Sequence, residues 1–119
     1  MDKYLQRILW ITSLFLTSNT FAETHRTPLL SNEEVRIWKT VIYPNKNQTL
    51  AMHRHEHNRV VVALDNGKLK IKDNTGKVHY LELKKNQAYY LTKDVPGALH
   101  TDENVSKKPI EVVVIELNK

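Results

Sequence analysis

The sequence predicts an all-β domain, an antiparallel sandwich or barrel. Three observations lead there. Short segments rich in Val, Ile, Leu and Tyr recur at even spacing from Val35 onward. Turn residues (Asn, Asp, Gly, Pro) separate them, and helical periodicity is scarce between the turns. A chain of 119 residues supports one domain and no second core. With 40% hydrophobic and 26% charged residues, wholesale disorder is excluded.

The elements follow in order. Residues 1–22 read as a targeting segment: Lys3 and Arg7 precede the apolar run Ile8–Leu16, and Thr20-Phe21-Ala22 closes it with small residues, Thr20 and Ala22, at the two positions a signal peptidase reads. The run is about half of the roughly twenty residues that a membrane-spanning helix needs, so a cleaved export signal is expected rather than an anchor. Cleavage after Ala22 leaves Glu23–Lys119 as a periplasmic or secreted protein with no stable membrane span. Residues 23–34 form an N-terminal arm, either loose or a short edge element, and 35–119 form the domain. Strands are expected at Val35–Tyr43, Val60–Leu64, Lys68–Lys72, Val78–Leu83, Tyr89–Leu91 and Pro109–Leu117. Asn66-Gly67 and Asn74–Gly76 carry the residues that favour hairpin turns.

Composition removes several function classes. There is no cysteine, which excludes disulfides, thiol nucleophiles, thiolate zinc sites and a lipid-anchored cysteine. The formal charge of +5 is spread along the chain and describes a mildly basic surface. Lys68, Lys70 and Lys72 share one alternation face, a solvated sheet surface. No basic patch with interleaved aromatics speaks for nucleic acid. Trp38, Tyr89 and Tyr90 are read as packing residues, and His79 as structural.

The histidines are the informative residues. His53, His55 and His57 stand at alternate positions in Met52–Arg59. On a strand, residues two apart share a face with Cα atoms about 6–7 Å apart, so two imidazoles can converge on one ion at roughly 2.0–2.2 Å. A third ligand has to come from another strand, and His100 is the candidate.

These two segments resemble the two motifs of the cupins: His53-x-His55 followed by a β-rich run to Gly67, then Pro96-Gly97-x-x-His100-x-x-x-Asn104. The resemblance covers roughly residues 35–117. It implies a double-sheet jelly-roll barrel with histidines lining the interior around a divalent metal (Fe, Mn, Zn, Ni or Cu), and a chain that pairs into a homodimer, with the Val112–Ile115 strand a candidate contact.

The sequence also departs from that family. The glutamate expected four residues after the second histidine is Arg59, whose guanidinium offers only donors and stays protonated. Shifting the register to His55 and His57 places Val61 there instead. His57 is ranked first as a replacement ligand, then Glu56, then Asp102. Glu56 needs a bulge to turn inward, whereas Asp102 shares the alternation of His100. Arg59 is either a surface residue paired with Glu56 or an inward anchor for a small anionic ligand such as a carboxylate. Asn47 and Asn86 stand where the family carries turn glycines, and Asn best replaces Gly in a left-handed backbone.

Three function classes follow: a metal-dependent enzyme of unassigned reaction, a metal-free barrel that binds a small anion through Arg59 and the histidines, and an interaction-only barrel. No Ser/His/Asp set, paired carboxylates or phosphate loop suggests metal-free catalysis.

Overall fold

A computed structural model describes residues 24–119, so the expected signal peptide lies outside the described residues. Nine strands form among the described residues: β1 (His25–Ser31), β2 (Val35–Ile42), β3 (Leu50–His53), β4 (Arg59–Ala63), β5 (Gly67–Asp73), β6 (Val78–Leu83), β7 (Ala88–Leu91), β8 (His100–Asn104) and β9 (Ile110–Leu117). They make two antiparallel sheets, one ordered β1-β2-β9-β4-β7 and the other β3-β8-β5-β6. Among the described residues no helix is long and apolar enough to cross a membrane.

The six expected strands are β2, β4, β5, β6, β7 and β9, with ends that agree to a residue. The other three have weak local signals. β1 contains Pro28, β3 has four residues, and β8 reads His-Thr-Asp-Glu-Asn. Pairing with neighbours makes them strands, because β propensity is mostly a fit to a sheet already present. β8 lies between β3 and β5, and β1 is an exposed edge paired to β2.

Period-two burial places the core. β4 and β9 alternate strictly between buried and partly buried positions. Trp38, Ile42, Val61 and Val112 from one sheet meet Leu69 and Leu83 from the other in a single cluster. A fully buried leucine-sized side chain contributes about 1.5–3 kcal/mol, so this cluster holds the two sheets together. β9 is hydrogen-bonded on both sides, to β2 and β4. A dimer contact through Val112–Ile115 therefore has no free edge and is restricted to the outer face.

Of four turn expectations, two hold and two are corrected. Gly76 has φ 91° in the β5–β6 hairpin, where the Asp73 carboxylate accepts from Thr75 and Lys77 backbone N–H groups at 2.9 Å each. Asn66-Gly67 does not make a hairpin, because β4 and β5 belong to different sheets. Gly67 is instead required for close approach: a Cβ there would lie 2.4 Å from Ile110 Cδ1. Asn86 takes a left-handed backbone, φ 69°, as expected, whereas Asn47 sits in a 3₁₀ turn, Lys46–Gln48, and has no positive φ.

Candidate metal centre

His53 ends β3, His100 opens β8, and the two are direct partners in the ladder. His55 lies just beyond β3, so strand alternation is not what aligns it with His53. The β3–β8 register shifts between Leu50 and His53, and the chain then leaves the sheet. Reciprocal hydrogen bonds hold it: the His55 backbone N–H donates to Asp94 Oδ2 at 2.7 Å, and the Asp94 N–H donates to the His55 carbonyl at 2.9 Å. Asn58 extends the clamp by accepting from the Lys93 N–H at 2.8 Å.

One ring nitrogen from each of His53, His55 and His100 falls in a group whose members all lie within 4.8 Å of one another. The His53 and His55 Nε2 atoms are 3.2 Å apart. Two nitrogens bound to one ion at about 2.1 Å are separated by about 3.0 Å in octahedral cis geometry and about 3.4 Å in tetrahedral geometry. The observed spacing falls between them, so His53 and His55 are placed as two ligands of one ion would be, and the three-histidine group could hold a metal. Asp102 Oδ2 stands 3.4 Å from His53 Nε2 and 3.7 Å from His100 Nε2, close to the same ligand-to-ligand spacing. The grouping itself holds none of the three expected replacements, and of these only Asp102 stands beside it. Glu56 is exposed, and neither Glu56 nor His57 lines the cavity around the triad.

The surroundings fix the rings. His53 Nδ1 lies 2.6 Å from the Ala51 carbonyl, which can only accept, so Nδ1 carries the proton and Nε2 faces the other imidazoles. The His100 ring lies between two carboxylates, with Asp94 Oδ2 3.5 Å from Nδ1 and Asp102 on the other side. Partners of this kind orient metal-binding histidines and raise their basicity.

Electrostatics separates the three imidazoles. Burial, reinforced by Arg59 and the other two histidines, pushes His55 down to about 4. Burial also lowers His100, against the pull of Asp102. The hydrogen bond to Asp102 raises His53 in spite of its burial. Burial acts to raise Asp102, but the His53 hydrogen bond and the nearby imidazoles outweigh it and hold the carboxyl below its ordinary value. At neutral pH, His55 and His100 are therefore neutral donors beside an ionised carboxylate.

The centre opens into a cavity of about 300 Å³. Its walls are apolar, including Trp38, Val61, Leu69, Leu81, Leu91 and Val114. Arg59 lines it from β4 and is only 7% exposed, so it faces inward and makes no pair with Glu56. Its Nη1 donates to the Thr92 carbonyl at 3.3 Å. Burial lowers its pKa while Asp94, Asp102 and Glu116 support the charge. His79, expected to be structural, and Arg26, from the arm, also line the cavity. Asp94 and Arg26 carried no signal in the sequence. Asp94 lies in an irregular loop, and the Pro-containing β1 has no clear alternation.

Asn104, the last residue of the second motif, works in the framework. It is 3% exposed, donates from Nδ2 to the Ile42 and Lys108 carbonyls at 2.8 Å each, and accepts from the Ser106 N–H at 2.8 Å. It ties the end of β2 to the β8–β9 turn.

No family model and no curated protein matches this sequence. Solved structures do match. A cupin domain from Bordetella pertussis Tohama I is 23% identical, with 84% of this chain and 98% of that chain covered and a TM-score of 0.71. A conserved protein with a double-stranded β-helix domain from Klebsiella pneumoniae is 19% identical, covering 83% and 80%, at a TM-score of 0.61. An RmlC-like cupin protein from Methanocaldococcus jannaschii is 12% identical, covering 84% of both chains, also at 0.61. At these identities the likeness is one of fold.

Proposed function

The chain has the cupin fold, and on that premise we propose that it is a small exported cupin that holds one divalent transition metal through His53, His55 and His100. Asp102 is the fourth donor and replaces the family's missing glutamate. The observation that carries this is the 3.2 Å separation of two Nε2 atoms within a three-histidine group at a cavity. The two sheets are the walls of a jelly-roll barrel around that cavity, and residues 1–22 direct the protein to the periplasm or the exterior.

A bound ion supplies Lewis-acid character and positions for water or a chelating ligand. The chain's own groups supply the rest. The Ala51 carbonyl and Asp94 hold the imidazole orientations, the apolar walls limit water, and Arg59 presents a buried cation to a small anionic ligand beside the metal. No particular reaction follows from these groups. Metal analysis of untagged protein, beside a His53→Ala/His55→Ala control, tests the centre. About one equivalent, lost in the control, is expected; a folded protein that takes up no divalent ion refutes it. That second result leaves Arg59 and the histidines as a metal-free anion site, a reading that the inward, buried Arg59 favours.

A further inference from the structure

The charged side chains that line the cavity balance. They are Arg26 and Arg59 against Asp94 and Asp102. With the histidines neutral as ligands, a divalent ion leaves the side chains lining the cavity two positive charges in excess, Arg59 buried and Arg26 exposed at the edge strand. Arg59 lies on the metal side, near Asp94 and Asp102. Arg26 approaches from the edge strand of the sheet and is within electrostatic reach of His53. It projects from β1, and its guanidinium carbon lies 4.2 Å from the centroid of the Trp38 ring. The acidic group that acts on it is Glu116, which is already paired with Arg36 at 3.7 Å. Arg26 forms no ion pair of its own among the described residues.

The ladder sets what lies between the two arginines. β2 and β9 separate β1 from β4, about 14 Å across the sheet, and the register puts Arg26 in the row of Thr40, Val112 and Ala63, four residues along β4 from Arg59, so the two backbones are about 19 Å apart on the diagonal. Both side chains line the cavity, and the apolar row Trp38, Val114 and Val61 runs between their rows.

We propose that Arg26 is a second anion-binding residue of the cavity, and that the ligand is a dicarboxylate with an apolar spacer. One carboxylate sits at the metal and Arg59, the spacer lies on Trp38 and Val114, and the other carboxylate takes Arg26. Stacking on Trp38 holds the guanidinium plane in place for a two-pronged hydrogen bond. This rests on the metal centre proposed above.

Calorimetric titration of zinc-loaded protein with linear dicarboxylates from malonate to suberate, each beside its monomethyl ester, tests it. At least one length should bind about tenfold tighter than its ester, the effect of one partly exposed charge-assisted pair. Arg26→Met should lose that preference while keeping one zinc and the wild-type thermal midpoint, and Arg26→Lys should keep part of it. Equal affinity for acid and ester at every length overturns the proposal, as does a preference that survives in Arg26→Met. Failure of the wild type to take up zinc removes the metal centre instead. The same titration of metal-free protein then judges Arg26 alone: an acid preference lost in Arg26→Met supports it, and no preference overturns it.

Discussion

Asn104→Ala should destabilise the fold without touching the metal ligands. The substitution removes three hydrogen bonds of 2.8 Å. The Ile42 carbonyl belongs to a residue only 3% exposed, and it would lose the Asn104 donor where water has little access, a loss of about 1–3 kcal/mol. The Lys108 carbonyl and Ser106 N–H are closer to solvent and lose about 0.5 kcal/mol each. Together these give about 3 kcal/mol, a large share of the roughly 5–15 kcal/mol that holds a domain folded. In urea, with a slope of about 1.5 kcal/mol per molar, the midpoint should fall by about 2 M. Asn74→Ala is the control. Its side chain also donates to a loop carbonyl, Gly97 at 3.0 Å, but in an exposed setting, so the loss should stay below about 1 kcal/mol. An Asn104→Ala midpoint that stays level with Asn74→Ala would refute the reasoning, and loss of metal from the still-folded variant would show that Asn104 belongs to the site.

Other predictions follow from the same geometry. Asp102→Asn should weaken zinc binding by about 10–100-fold, whereas His57→Ala and Glu56→Ala should leave it unchanged in a competition titration against a chromogenic chelator. Asp94→Ala, which frees His100 and the His55 clamp, should weaken it by about tenfold. His55 titrates near 4 in the folded protein against an ordinary value of 6.5, so the unfolded chain binds more protons in that window. The metal-free protein should therefore have this contribution in full above pH 6.5 and lose up to about 3 kcal/mol as pH falls toward 4. Urea midpoints at pH 7.5 and 4.5 should differ less in His55→Gln, and an equal difference contradicts the assignment. Gly67→Ala brings a Cβ to 2.4 Å from the Ile110 side chain, and thermal unfolding should show a loss of about 1–3 kcal/mol.

By itself the sequence determined the strand segments with strong local patterns, because alternation and turn chemistry act over a few residues. Val35–Ile42, Val78–Leu83 and Ile110–Leu117 are legible in this way, as is the left-handed backbone at Asn86. It also pointed to His53, His55 and His100, since histidine spacing on a β-rich chain is a local pattern joined to a second motif. Only the tertiary structure decided how these parts meet. Asn66-Gly67 reads like a hairpin yet crosses between sheets, because Gly67 answers to Ile110, far along the chain. The polar segment His100–Asn104 is a strand because β3 and β5 flank it. Asp102 stands beside the triad and His57 does not, because the chain leaves β3 after His53 and is clamped by Asp94. Arg26 reaches the cavity only through the register of β1 on β2. Such placements depend on contacts between distant residues, and local propensity carries no record of them.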